Sequence, residues 1–470
     1  SAMAIDNGLD SYTVRYLTNR LRAEGVKFLK VTLPKLGKSI LFSASVGEFR
    51  RPTCFAWKGR SLRYFRSLLN KIFCPRTGKL LPDFDVVSFN ALRQFTEYWY
   101  KLGLDFEPAV LDRSEEKYVS TQKDVASHVF DPSWVNTLRK NAESHYKSLF
   151  KGSPDCILSE GPKNGPGTFV HSDVVQRLMG IHWSLFKELS DDKSGTCNSR
   201  SLPYSGYFKP YPSSKTKIKI VKEDRLCEVK FVKKDSRGPR VISKEPLHQL
   251  RAQMSFFTWM SKRLERVTKR RVNFVDQSIN QRLACQGSID GSWATLDLKD
   301  ASDRVSIRLI RQVFRHSPVK WFLQNMRSTH YKLPSGNTGE LHSVSGMGSG
   351  LTFPILAFIV HLSVCTSLCE ALRLPFDRVS RNVYVYGDDL IVPTEYVHLA
   401  KAGLEKSGLL VNDEKSYSSG YFRESCGGDY IKGNFCAPTR LKLSFCDLPT
   451  PERARDGLVL SRDAKLITAL

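Results

Sequence analysis

From Leu351 to Leu372 the chain carries one charged residue, Glu370. A stretch this apolar has to be covered on every side, either by lipid or by the rest of a protein. Pro354, His361, Ser363, Thr366 and Ser367 make it a poor lipid span, and no second candidate accompanies it. The expectation is therefore a core helix, its small and polar positions packed under the glycine run that precedes it. That run, Gly346-Met347-Gly348-Ser349-Gly350, can bring backbone amides close to a ligand. It lacks the Gly-Lys-Ser/Thr ending of a phosphate-binding P-loop, which disfavours a Walker-type NTPase.

Downstream, Tyr386-Gly387-Asp388-Asp389 lies between Val383-Tyr384-Val385 and Leu390-Ile391-Val392. Two short β-branched and aromatic runs meeting at Gly-Asp predict a hairpin with glycine at a positive-φ turn position. Adjacent carboxylates at its tip repel each other and are costly without a cation. Taken alone the tripeptide reads equally as a solvated turn, so the rest of the chain has to decide.

Residues 292–298 alternate as a strand. Trp293, Thr295 and Asp297 share one face, opposite Ala294, Leu296 and Leu298. Ser302-Asp303 opens a helix with core face Val305, Leu309, Ile310, Val313 and Phe314, where Asp303 is by itself a first-turn carboxylate favoured by the helix dipole. Two short strands between His330 and Val344 flank a plain turn at Pro334–Gly339. After the Gly-Asp-Asp hairpin come a helix from Val397 to Lys406, a strand Gly408–Val411 and a turn Asp413–Lys415. This order suits an α+β fold with an antiparallel sheet covered by helices on one face.

Charge narrows the partners. Lysine and arginine outnumber acids by 72 to 47, a net charge of +25, which points to a polyanion, nucleic acid before membrane. The densest basic segment, Lys230–Pro246, carries Lys233, Lys234, Arg237, Arg240 and Lys244. On an extended run these cations would line a triphosphate channel or decorate a solvated hairpin, and the segment alone does not separate the two. A helix over about 247–268 follows, with Leu247, Leu250, Met254, Phe257 and Met260 as its apolar stripe. Residues 4–120 interleave cations with rings, as in Arg63-Tyr64-Phe65-Arg66, which suits either a surface tracking a sugar-phosphate backbone or amphipathic helices with their rings in the core. Breaker-rich connections fall at 151–168 and 189–216. The eleven cysteines form no Cys-x-x-Cys pair. Cys365 and Cys369 read as buried thiols, while Cys426, Cys436 and Cys446 lack zinc-site spacing; with no secretory pattern, a reducing cytoplasm is expected. Ser1-Ala2-Met3 reads as a cloning remnant and is set aside.

Nucleotide addition uses two divalent cations roughly 3.5–4 Å apart, one activating the attacking 3′-hydroxyl and one holding the leaving pyrophosphate. Mg²⁺ takes oxygen ligands, usually one or two carboxylates plus substrate phosphates. Asp297 at a strand end and Asp388 at a hairpin tip would meet that need, with Asp389 as a third carboxylate. Two Mg²⁺ ions are the expected cofactor, with Mn²⁺ as the substitute.

The ordered set formed by Asp297-Leu298-Lys299-Asp300-Ala301-Ser302-Asp303, the glycine loop ending in Thr352-Phe353, and Tyr386-Gly387-Asp388-Asp389 resembles the successive palm motifs of RNA-dependent RNA polymerases. Asp276–Ala284, Gln286–Ser292 and Phe422-Arg423-Glu424-Ser425-Cys426-Gly427 are similar to the replicases of single-stranded RNA bacteriophages, the leviviruses. The resemblance covers about residues 225–445. It implies a right-hand fold of fingers, palm and small thumb, with an N-terminal basic region at 4–120, fingers at 121–290, palm at 291–430 and a short thumb or C-terminal region at 431–470. It makes Asp297, Asp388 and Asp389 the metal carboxylates and Lys415 a general acid for the leaving pyrophosphate. It assigns Lys234, Arg237 and Arg240 to the incoming triphosphate, with Glu245 as their structural partner. Asp303, supported by Ser349 and Thr352, would sense the ribose 2′-hydroxyl; many polymerases carry asparagine where Ser349 stands.

The implied partners are a single-stranded RNA template, product RNA and nucleoside triphosphates, without a membrane, in the cytoplasm of an infected bacterium. Replicases of this type work with host translation elongation factors. A reverse transcriptase shares the palm chemistry, but Asp303 beside the ribose and Gly387 rather than alanine before the paired aspartates argue for RNA synthesis. A non-catalytic RNA-binding protein with a decayed palm is the other reading, opposed by the intact acidic trio.

Overall fold

The computed structural model describes residues 9–50, 52, 54–58, 61–101, 106–152, 156–157, 160, 225–235 and 238–441. Most of 151–168, all of 189–216, Cys446, Arg237 and the region beyond 441 lie outside them.

The chain opens with helices α1 (Ser11–Glu24) and α2 (Leu33–Val46), a small ribbon of β1 (Trp57–Lys58) and β2 (Ser61–Leu62), then α3 (Val86–Glu97), α4 (Pro108–Ser127) and α5 (Pro132–His145). Side-chain caps start several of them: Asp10 accepts from the Thr13 amide, Asp85 from Val87 and Asp131 from Ser133. In the basic-aromatic interleaving here, rings turn into the core or stack while cations lie over them, also in the bend at residues 63–65 outside the helices. Tyr64 and Phe65 are buried, Tyr16 stacks on Tyr64, and Arg63 sits over the Tyr12 ring.

Next comes a hairpin of β3 (Leu226–Asp235) and β4 (Gly238–Lys244), then α6 (Leu247–Val267) and α7 (Ser278–Asp290). Strands β5 (Trp293–Leu296) and β6 (Leu298–Lys299) are separated by Asp297. They lead to α8 (Ala301–Arg304), α9 (Ile307–Val313), α10 (Pro318–Met326), β7 (His330–Lys332) and β8 (Thr338–Glu340). After α11 (Thr352–Leu372) come β9 (Tyr384–Tyr386), β10 (Asp389–Pro393), α12 (Val397–Lys406), β11 (Leu410–Val411), β12 (Phe422–Ser425), β13 (Gly428–Ile431) and β14 (Asn434–Phe435). The fold is α+β. An antiparallel sheet β5-β10-β9 occupies the middle, and β4-β3-β7-β8 forms a second sheet whose β3–β7 pair is parallel.

Helix α11 is the buried helix its composition predicts, with Pro354 through Leu368 out of solvent. It is the one described helix long and apolar enough to cross a membrane, and it is largely covered by the protein. Thr352 at its start bonds the glycine loop, but its mid-helix polar positions face other partners than that loop. Ser363 meets Ser407 at 2.7 Å, Ser367 donates to the Leu399 carbonyl, and His361 contacts the Tyr146 hydroxyl at 2.6 Å. Small side chains on α11 admit α12 at close range: a Cβ at Gly403 would lie 2.6 Å from the Ser363 carbonyl oxygen. Burial pushes the His361 imidazole down to about 3, keeping it neutral in this seam.

The expected helix from Ser302 is broken in two. Val305 is extended, with ψ of 101°, and Ser306 caps α9 by accepting from the Arg308 amide. The predicted core face still buries, because Val305, Leu309, Ile310, Val313 and Phe314 all join the main apolar cluster. That cluster surrounds α11, whereas a second unites the N-terminal helices with Phe422, Ile431 and Cys436 of the last sheet. The described cysteines are free thiols.

Candidate functional site

The Gly-Asp-Asp hairpin forms as its sequence predicts. Tyr386 pairs with Asp389, leaving Gly387 and Asp388 as the two turn residues. Gly387 has φ +67, and a Cβ there would fall 2.0 Å from the Phe353 ring. Glycine is thus required by conformation and by space, a positive φ at the first turn position being the type II′ pattern.

Strand register then sets the acids together. Leu390 pairs with Leu296 and Val392 with Ala294, so one further step places Asp389 opposite Asp297. Asp297 is held at the break between β5 and β6. Its amide donates to Ser416 Oγ at 3.1 Å, its carbonyl accepts from the Asn412 amide at 2.8 Å, and its Oδ2 accepts from Asn412 Nδ2 at 2.8 Å. Lys415 Nζ stands 3.4 Å from the same Oδ2. The face of β5 bearing Thr295 is not open as simple alternation suggests. Thr295 is buried because Tyr417 exchanges backbone hydrogen bonds with it and β12 covers it.

Electrostatics show that the three acids share a field. Burial raises the Asp389 carboxyl to about 7, and the charges of Asp388 and Asp297 add to the rise. Asp388 is at the exposed tip. Glu424, on β12, is also lifted to about 7 by burial and by Asp429, with Lys415 opposing and Asp389 adding. Glu424 and Asn412 are site residues that strand and turn patterns did not single out; Glu424 lay within a motif noted for resemblance alone.

No group of three or more His, Cys, Asp or Glu side chains among the described residues closes into a ready-made metal cage. The donor set nevertheless fits Mg²⁺, which needs only one or two protein carboxylates when phosphates supply the rest. Crowded, oxygen-only carboxylates, with Asp389 raised by burial and by its two neighbours, are an environment a divalent cation relieves.

Asp303 lies in α8, beside the glycine loop. A Cβ on Gly346 would come 2.1 Å from Ser243 Oγ and 3.3 Å from Asp303 Oδ1, so the loop runs against both. Burial first, then the charge of Asp300, raises Asp303 to about 7, with Lys117 and Arg304 opposing. Asp300 has φ +48 and pairs with Lys117 at 2.6 Å. Buried Gln122 of α4 accepts from the His342 and Ser343 amides and reaches the Asp303 carbonyl at 3.4 Å.

Ser349 and Thr352 do not point their hydroxyls at Asp303. Ser349 donates to Gln253 Oε1 at 2.7 Å, and Thr352 donates to the Gly346 carbonyl at 2.6 Å. Gln253 in turn donates to Glu245, which also accepts from Ser328 at 2.6 Å. Glu245 is fully buried and raised by burial, the bonds from Ser328 and Gln253 working against that rise. Glu245 therefore joins the end of the basic hairpin to the glycine loop. Buried Arg327, missed from the sequence, donates to the Val344 and Ser343 carbonyls at 3.1 and 2.9 Å and fixes the approach to that loop. Arg240 is exposed on β4, and the basic segment is a hairpin. The Lys234 side chain and all of Arg237 lie outside the described residues.

Comparison with known proteins covers the resemblance placed at about 225–445 and extends it toward the N-terminus. The family model for the RNA replicase beta-chain matches residues 186–450. The RNA-directed RNA polymerase beta chain of Escherichia phage MS2 is 35% identical over 211 residues, which is 45% of this chain and 37% of that protein. The RNA-directed RNA polymerase subunit beta of Escherichia virus Qbeta is 34% identical over 239 residues, 50% of this chain and 38% of that one. The chain thus spans well under half the length of the curated relatives it matches. With a family match over more than half of its residues, the chain belongs to the RNA replicase beta-chain family.

Proposed function

We propose that the chain carries out template-directed RNA synthesis, adding nucleotides to a growing RNA in the replication of a viral single-stranded genome. The observation that carries this reading is the β5–β10 register, which brings Asp389 of the hairpin beside Asp297 at the strand end, with the Asp389 carboxyl raised by burial and by the charges of Asp388 and Asp297. Acids from a strand end and a hairpin tip share one field within a chain of net charge +25. The cations outside draw in RNA and triphosphate, and the acids inside hold metal. The names of the relatives, RNA-directed RNA polymerases, support the same reading.

On this reading the fold is a right hand, with the β5-β10-β9 sheet and α11 as palm, the β3–β4 hairpin in the fingers and a small thumb completed from the C-terminal region. Asp297, Asp388 and Asp389 would hold two Mg²⁺ ions, or Mn²⁺ in their place. Bound there, the ions would supply activation of the 3′-hydroxyl and charge neutralisation at the leaving pyrophosphate. Lys415, beside Asp297, is placed to give a proton to that pyrophosphate. Lys234, Arg237 and Arg240 steady the triphosphate. Asp303 meets the ribose 2′-hydroxyl, a donor and acceptor that marks RNA. Ser349 and Thr352 serve it by fixing the loop that lies against it. The substrates are a single-stranded RNA template and nucleoside triphosphates, in the cytoplasm of an infected bacterium. Host translation elongation factors are the further partners that the family resemblance implies.

Primed and unprimed extension on an RNA template, with ribo- and deoxyribonucleotides compared, tests this. Ribonucleotide incorporation that needs Mg²⁺ or Mn²⁺ is the expected result. Preference for deoxyribonucleotides would make the chain a reverse transcriptase, and RNA binding without incorporation under any condition would leave a binding protein.

A further inference from the structure

Two family segments, Asp276–Ala284 and Phe422–Gly427, have no part in the chemistry above, yet the structure puts them in contact at Asp389. Ser425 pairs with Gly428 across a two-residue turn of Cys426 and Gly427, whose φ values are +51 and +73. Positive φ at both turn positions is the type I′ pattern, in which a non-glycine residue is held in a sparsely populated conformation. That conformation sends the Cys426 amide toward the site, where it donates to Asp389 Oδ2 at 3.3 Å.

The turn is braced from behind by α7. Gln281 Nε2 donates to the Cys426 carbonyl at 3.1 Å, and buried Asn280 Nδ2 reaches Ser425 Oγ at 3.4 Å. A Cβ on Gly428 would sit 3.0 Å from Gln281 Cγ, so the helix lies directly on the hairpin. Both partners are tied to the catalytic sheet as well. Buried Arg423 donates to the Trp293 carbonyl at the start of β5 and to the Ser419 and Gly420 carbonyls. At Gly287 a Cβ would fall 2.4 Å from the Trp293 carbonyl oxygen, which seats α7 on the same strand. Just before α7, the Asn273 amide bonds the Val385 carbonyl of β9.

We propose that the Ser425–Gly428 turn, braced by Gln281 and Asn280, is a positioning element that occupies one oxygen of Asp389 and turns the other toward the metal site. Glu424, from β12, and Asp388 and Asp297 are the other charged groups facing Asp389, and the Cys426 thiol also hydrogen-bonds it; Lys415 faces Asp297 and Glu424. Against them a neutral amide fixes the carboxylate without adding charge. Hydrogen-bonding partners behind metal ligands typically change metal affinity or activity about 10- to 100-fold when removed. The inference rests on the polymerase reading for the role of the metal, but not for the geometry.

The test measures Mn²⁺ affinity of the purified, substrate-free chain by electron paramagnetic resonance, with melting temperature and single-nucleotide kinetics alongside. Gln281→Ala should weaken Mn²⁺ about tenfold and lower kcat, with KM for the nucleotide and the melting temperature little changed. At the turn, Cys426→Gly and Cys426→Asn keep the amide and a tolerated positive φ while removing the thiol that also bonds Asp389, so with the amide as the positioning group Mn²⁺ affinity should hold; Cys426→Val should weaken it. Should Cys426→Val not fold, Gln281→Ala together with the Gly and Asn variants still decides. Unchanged Mn²⁺ affinity in Gln281→Ala, or loss of affinity in Cys426→Gly equal to that in Cys426→Val, overturns the proposal. An unaltered chain that binds Mn²⁺ with this variant pattern but incorporates no nucleotide overturns the polymerase reading and leaves the positioning role standing.

Discussion

Two acidic clusters lie on either side of the β12–β13 hairpin, and they are built on opposite principles. On one side Arg93 of α3 is fully buried between Glu97 at 3.1 Å and Asp429 at 2.8 Å, with Arg440 also on Glu97. Burial would pull the Arg93 guanidinium down, but Glu97 and Asp429 hold it above its ordinary value. Glu97 likewise stays below the usual carboxylate range despite its burial, because Arg93 and Arg440 face it. On the other side Asp297, Asp388, Asp389 and Glu424 have Lys415 as the one lysine within salt-bridge range of Asp297, and Asp389 and Glu424 are pushed up to about 7. The first cluster is balanced within the chain and fastens the N-terminal helices to the last sheet. Among the described residues the second shows less positive charge against its buried acids, the environment that the proposed metal role calls for.

If that contrast is right, substitutions should separate the clusters by what they damage. The largest effect is expected from Asp388→Ala or Asp297→Ala. Each should lower nucleotide incorporation by more than about 1000-fold, equivalent to roughly 4 kcal/mol, while RNA retention on filters and the melting temperature hold. Incorporation within tenfold of the unaltered chain would break the comparison. Next, Arg93→Met leaves Asp429 without its cation in the interior and Glu97 with Arg440 alone, and should cost about 3 kcal/mol in urea unfolding. Adding Glu97→Gln and Asp429→Asn should recover much of that loss, a pattern foreign to the catalytic cluster.

A smaller effect is expected at Lys415. Lys415→Ala should slow elongation by about 100-fold at saturating nucleotide, since a general acid contributes but does not define the site. Full-speed elongation would remove Lys415 from the mechanism. The smallest effect concerns Asp303, whose carboxyl is raised to about 7. In the window from about 4 to 7 the folded chain keeps a proton on Asp303 that the unfolded chain has released. This group therefore favours folding at low pH, and the contribution is lost as pH rises through about 7. Asp303→Asn, which imitates the protonated state, should melt about 2 °C higher than the unaltered chain at pH 8, with the gap shrinking toward pH 4. A gap that widens on acidification would reverse the assignment.

Much of this was legible from residue order. Helix α11, the hairpin around Gly387, helix α12 and the strand before Asp297 follow from local composition, because burial and turn chemistry are decided within a few residues. The break at Val305–Ser306 was not legible, since the apolar face continues through it and the β-bridge between Ser306 and Ser343 comes from a distant loop. Nor could alternation reveal that Thr295 is covered on its polar side, because β12 arrives from well over a hundred residues downstream.

For the site, the sequence by itself determined the residue types: acids of the kind a divalent cation needs, a glycine where no side chain fits, and a surplus of basic charge. Tertiary structure alone decided which acids face one another, that Asn412, Lys415 and the Cys426 amide attend them, and that the Ser349 hydroxyl bonds Gln253 rather than Asp303 directly. The physical reason is range. Backbone propensity and turn geometry act over a handful of residues, whereas the register between β5 and β10 and the seating of β12 depend on packing between segments far apart in the chain.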